Sequence, residues 1–148
     1  MSLDAVYNAK ILDYAGNIGR IGKLDAPDGS AKAHSKLCGS TVSVDVMTDG
    51  AVVTDFAQDV KACALGQASA GILANHVVGR TLAELETVQA QMKAMLKEDG
   101  PAPDAPFEEL HFMEPVRAYR ARHASTMLPF DAVVDAMRQA LASRTEAA

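Results

Sequence analysis

Val42, Val44 and Val46 alternate with Ser43, Asp45 and Met47, and after a short break a second β-rich run follows, Val52-Val53-Thr54-Asp55-Phe56. A period of two places the three valines on one face of a strand, so the pairing register decides whether that face is buried. Asp49-Gly50 stands between the runs and can supply the positive φ angles of a type I′ turn. The segment therefore reads as a β-hairpin.

Around it the apolar spacing changes from two to three and four. Leu3, Tyr7, Ile11 and Tyr14 share one face of a first helix over about residues 3–15, stopped by Gly16. Residues 19–36 carry three glycines and Pro27, with Ile21 and Leu24 among them, and read as a strand, a loop and a return strand. Beyond the hairpin, Ala64, Leu65, Ala68, Ile72 and Leu73 give a helical apolar face that begins at Cys63 and ends near Gly79. Thr81-Leu82-Ala83-Glu84 fits a capping box, and a long helix follows with Leu82, Leu85, Val88, Met92 and Leu96 inward. Residues 99–106, with three prolines and a glycine, form an irregular insertion. A last helix carries Leu128, Val133, Val134, Met137 and Leu141, with Pro129 expected in its first turn and His123 just before it.

At 148 residues the chain is long enough for one sizeable core, and a single domain over 1–148 is expected. No apolar run approaches the roughly 20 residues of a membrane helix. The N-terminal residues lack the basic start, apolar stretch and cleavage site of a secretion signal, so a cytoplasmic protein with reduced thiols is expected. A net charge of -5 argues against sequence-independent nucleic-acid binding.

Three residues with metal-ligand chemistry fall at element boundaries: Cys38 ahead of the hairpin, Cys63 at one helix start and His123 at another. A helix N-terminus carries partial positive charge and favours the thiolate that soft metals bind. There is no compact Cys-x-x-Cys or His-x-x-x-His pair, so spacing leaves open whether the three converge. A cysteine in such a chain is otherwise most often a small buried hydrophobe. His34, His76 and His111 read as structural or solvent-facing. Met92, Met95, Met113 and Met127 read as core filling, and Arg117, Arg120 and Arg122 as a solvated edge or a surface for an acidic partner.

The run Cys63-Ala64-Leu65-Gly66-Gln67-Ala68-Ser69-Ala70-Gly71, with Gly79-Arg80-Thr81-Leu82 after it, resembles the second-cysteine region of the U-type iron-sulfur cluster assembly scaffolds. This is the family of IscU, SufU and the N-terminal domain of NifU. Cys38-Gly39 ahead of a hairpin is similar to the family's first Cys-Gly-Asp motif, and the tyrosine-containing first helix resembles its counterpart. The insertion 99–115 is closer to the SufU branch, and the Leu-Pro-Pro-Val-Lys chaperone-docking motif is absent.

The resemblance implies an α+β fold, a small antiparallel three-stranded sheet packed on one side by several helices. It implies a scaffold rather than an enzyme, holding a transient iron-sulfur cluster of the 2Fe-2S type or a zinc ion. Implied partners are a cysteine desulfurase and recipient apo iron-sulfur proteins, with the chain a monomer or a cluster-bridged homodimer. Cys38 and Cys63 match the family's first two cysteines. In Arg120-Ala121-Arg122-His123-Ala124, His123 stands where the third cysteine is expected, and Ser40 replaces the motif aspartate. The implied metal set is Cys38, Cys63 and His123, supported by Ser40 and Arg120, with His34 as a further candidate ligand.

Imidazole is a good ligand for zinc or for one iron of a Cys/His cluster, but it cannot carry a persulfide, which puts sulfur transfer in question. A zinc-binding sulfur-relay or regulatory paralogue is therefore the alternative. A thiol enzyme, with Cys38 or Cys63 as nucleophile and His123 as base, ranks below both.

Overall fold

A computed structural model of the chain describes residues 9–36 and 39–147. The first helix, α1, runs over Ala9–Gly16 and buries Ile11 and Tyr14, the described half of the expected stripe. Its expected beginning at Leu3 and Tyr7 lies outside the described residues.

Strands β1 (Gly29–His34), β2 (Thr41–Thr48) and β3 (Val53–Lys61) form an antiparallel sheet in the order β1-β2-β3. The alternation in β2 holds throughout: Val42, Val44 and Val46 are buried and their neighbours are half-buried. Helices α2 (Ala64–His76), α3 (Leu82–Lys97) and α4 (His123–Ala147) supply the rest of the core, and α4 lies across β1 and β2. The fold is the expected α+β arrangement, with a three-stranded sheet carrying its helices on one face. On the other face, Asp45 accepts from the Leu24 N–H and the Ser30 hydroxyl, which ties residues 24–30 to the sheet.

Four local expectations change. The hairpin turn is not a two-residue type I′ turn. Thr48 pairs with Val53 after a register shift, leaving a four-residue loop in which only Gly50 has positive φ, at 101°. Asp49 Oδ1 instead accepts from the N–H groups of Ala51 and Val52 and closes the loop as an Asx turn. Of the two strands expected in 19–36, only β1 forms. Arg20 adopts φ 59°, which breaks the extended chain, and Ile21 makes a single parallel bridge to Gln58.

The capping box at Thr81 and Glu84 is present in both directions, but Leu82 is only half-buried, and Met95 joins Leu85, Val88, Met92 and Leu96 inside. Finally, α4 begins at His123 itself, so Pro129 is its seventh residue rather than part of its first turn. The i+4 hydrogen bond that Pro129 cannot donate would have gone to the Ser125 carbonyl.

The insertion continues as 3₁₀ turns over Glu108–Ala118 and Arg120–Arg122, and Phe107, Leu110, Met113 and Val116 are buried there. All four methionines expected in the core are in it. No helix among the described residues is long and apolar enough to cross a membrane.

Candidate metal centre

The register of the sheet defines one end of the molecule. His34 pairs with Thr41, and Thr41 with Lys61, so the β1–β2 connection and the exit of β3 toward Cys63 lie side by side. The connection is closed by Ser35 N–H donating to Ser40 O at 2.9 Å and Gly39 N–H donating to Ser35 O at 2.8 Å. Cys38 belongs to this connection but lies outside the described residues. Ser40 is buried and His34 is exposed on the edge strand β1.

Cys63 is the N-cap residue of α2, in extended conformation, and carries a free thiol. Its side chain makes no capping hydrogen bond, and the helix turns its positive end toward the sulfur. The residue is half-buried. Its backbone carbonyl accepts from Gln67 N–H at 2.9 Å, and Gln67 Nε2 donates to Ala62 O at 2.8 Å, which holds the entry of the helix on both sides of the cysteine.

The residue of α4 that meets Cys63 is Ser125, with Sγ and Oγ 3.4 Å apart. Ser125 is fully buried and also donates to Arg122 O at 3.2 Å. The approach is close because the first turn of α2 carries Gly66. A Cβ there would lie 3.0 Å from the Ser125 carbonyl oxygen and 2.8 Å from Ala62 Cβ. That carbonyl is the one released by Pro129 from its i+4 helical bond.

His123 is 3% exposed and faces elsewhere. Its Nε2 lies 3.1 Å from both Val116 O and Arg117 O. Two acceptors require that Nε2 carries the proton, which leaves the lone pair of a neutral ring on Nδ1. The ring lines a groove between α3 and α4 with Lys93, Lys97 and Asp131. Ser125, two residues on, projects about 200° round the helix from it. Arg120 is exposed and lines the adjoining groove with Lys97, Asp99 and His123. Burial pushes the Asp131 carboxyl up, partly offset by the hydrogen bond from Gln89.

The structure thus brings Cys63 beside Ser125 and places His123 and Arg120 in the α3–α4 grooves. Among the described residues no three of histidine, cysteine, aspartate or glutamate converge as a metal-binding group. Ser125 escapes a reading by residue type, because a serine near a helix start signals a cap and not a ligand. The thiol of Cys63, at a helix N-terminus, has the chemistry of a ligand for a soft or borderline cation.

A three-stranded sheet carrying its helices on one face, with a half-buried thiol at a helix start, makes this an α+β domain. Residues 6–124 match the family described as NifU-like N terminal domain. The chain belongs to this family, that of the U-type iron-sulfur cluster assembly scaffolds, and is a scaffold protein rather than an enzyme. It is 22% identical over 139 residues to the iron-sulfur cluster assembly scaffold protein IscU of Thermotoga maritima, covering 94% of this chain and 97% of that one. A NifU-like protein (N-terminal) from Brucella abortus has a crystal structure that matches at 57% identity and TM-score 0.90, over 93% of this chain and 96% of that one. The fold is shared with a SufU-type protein of Fervidobacterium islandicum, at 21% identity and TM-score 0.80, over 92% of this chain and 99% of that one.

Proposed function

We propose that this chain is an iron-sulfur cluster assembly scaffold or carrier that holds its cargo between the thiolates of Cys38 and Cys63. The observation that carries the reading is Cys63 itself. It is an uncapped N-cap residue with a free thiol, at the sheet end to which the register brings the Cys38 connection. His123 is the third donor read from sequence; with its Nε2 proton held by the Val116 and Arg117 carbonyls, Nδ1 is the atom it can offer a metal. Histidine ligands are commonly oriented by a second-nitrogen hydrogen bond of this kind.

The partners are a cysteine desulfurase, which supplies sulfur, and recipient apoproteins in the cytoplasm. A cluster bridged between two copies would bring four cysteines to one site. The absence of a third cysteine supports a second reading, a zinc-holding relay or regulator at the desulfurase.

Iron, acid-labile sulfide and zinc per chain, with visible absorption, separate these on anaerobically purified and reconstituted protein. Iron with sulfide and thiolate-to-iron absorption is expected for the wild type and is expected to vanish in Cys38→Ala and Cys63→Ala. A shift of the spectrum in His123→Ala establishes the histidine as a ligand; an unchanged one makes it a strut. Near-stoichiometric zinc selects the relay reading, and neither metal after reconstitution overturns both. Stimulation of desulfurase turnover, lost in Cys63→Ala with the fold intact, ties the partner to the same thiol.

A further inference from the structure

Arg117 and Arg120 divide in the structure. Arg117 is committed internally: its Nε donates to Met95 O at 3.1 Å and its Nη2 to Gly100 O at 3.0 Å, with the Asp99 and Glu114 carboxylates 3.8 and 3.7 Å away. Arg120 is exposed, as are Lys93 and Lys97, which stand one turn apart on α3. Among the described residues none of these three cations enters a salt bridge, although the chain as a whole carries a net charge of -5. They border two adjoining grooves beside α3 and the start of α4, of about 450 and 320 Å³, which share Lys97 and the His123 ring. We propose that these grooves dock an acidic, extended segment of a protein partner, with its carboxylates on Lys97 and Arg120.

Shape and lining select a peptide over a simple anion. The larger groove runs from the Gln89–Asp131 hydrogen bond at one end to Lys97 and His123 at the other, about 12 Å at 1.5 Å per helical residue, the span of about four extended residues. Between these ends lie the exposed Ala90 and Ala124 and the side of Met127, apolar surface that an inorganic anion cannot use and an aliphatic side chain can. The Asp131 carboxylate, with one oxygen on Gln89, repels a lone anion but accepts a backbone N–H of an extended chain. Cations at one end and an acceptor at the other fix the direction in which such a segment lies. Exposed ion pairs each contribute little, so binding depends on several together and weakens with salt. The groove adds a contact surface to the scaffold reading and involves neither cysteine.

Fluorescence anisotropy of a short labelled peptide, rich in glutamate with one central leucine, tests this at low ionic strength. The wild type is expected to bind it, more weakly as salt is added, and not to bind the same peptide with lysine in place of glutamate. Lys97→Glu combined with Arg120→Glu should weaken binding at least tenfold. Lys23→Glu combined with Lys32→Glu makes the same change of net charge at exposed positions of the outer sheet face, and should weaken it far less. Ala124→Phe fills the groove without changing charge and should weaken binding several-fold. Circular dichroism confirms that each variant is folded, and Ala124→Phe decides the matter should the charge-reversed pair not fold. Equal weakening by the two charge-reversed pairs, or no effect of Ala124→Phe, overturns the proposal. So does an absence of binding by the wild type, or displacement of the peptide by inorganic phosphate beyond what chloride of equal ionic strength achieves, which would make this a site for a small anion. The metal and sulfide content that tests the scaffold reading is independent of each of these results.

Discussion

Glu109 shows how single side chains fasten the insertion to the rest of the molecule. The Tyr14 hydroxyl of α1 donates to its Oε2, and His76 Nε2 of α2 lies 2.6 Å from its Oε1. The Tyr14 hydrogen bond, then the one from His76, holds the Glu109 carboxyl below its ordinary value of 4.5. Burial, and then the same contact, pushes the Tyr14 phenol up. A carboxyl whose folded pKa is depressed contributes stability that is fully present above its unfolded pKa and is lost as the pH falls through the folded value. Glu109→Gln should therefore lower Tm at pH 7, with the difference from wild type closing as the pH drops below about 4. Thermal melts across that range check it; a pH-independent difference would mean the loss is one of packing. Asp131 carries the opposite sign. Its raised carboxyl disfavours the folded state once it ionises, so Asp131→Asn should raise Tm at neutral pH and leave it unchanged in acid.

Among the elements, α2 is the one that positions the candidate thiol. Its capping position carries Cys63 and its first turn carries Gly66. Gly66→Ala gains about 1 kcal/mol of helix propensity but forces an added methyl into the Ser125 carbonyl and Ala62, an overpacking of about 1–3 kcal/mol. A lower urea midpoint with unchanged m-value is expected, because the added methyl meets both Ala62 and the Ser125 carbonyl. Removing the capping box on α3 acts on stability alone: Thr81→Ala should cost about 1 kcal/mol, read as a urea midpoint shift with the metal spectrum unchanged. These elements were largely legible in the chain. The valine alternation, the Thr81–Glu84 box and the apolar stripes are local patterns whose period is set by backbone geometry. Where local reading went wrong, another contact had intervened. The Asp49 carboxylate accepted from the backbone of Ala51 and Val52 while Asp49 stayed out of the left-handed region, and the carbonyl freed by Pro129 sits against Gly66 of α2, with α4 continuing through the proline.

For the whole molecule, the apolar core of the described residues is built by β2, β3, α2, α3 and α4, with Cys63 packed only against its edge. Chelation should therefore leave a folded protein that still melts cooperatively; loss of the near-ultraviolet circular dichroism signal on adding EDTA would instead identify a structural ion. The sequence by itself determined the three-stranded sheet's central hairpin, the helices that cover it, the family, and the placement of Cys63 at a helix start, because each is written in residues close together in the chain. Only the tertiary structure decided which residue of α4 stands against Cys63. A helix turns about 100° for each residue, so the choice between His123 and Ser125 is a choice of helix rotation. That rotation is set by packing between segments some sixty residues apart, through Gly66 and the Ser125 carbonyl, and no local pattern records it.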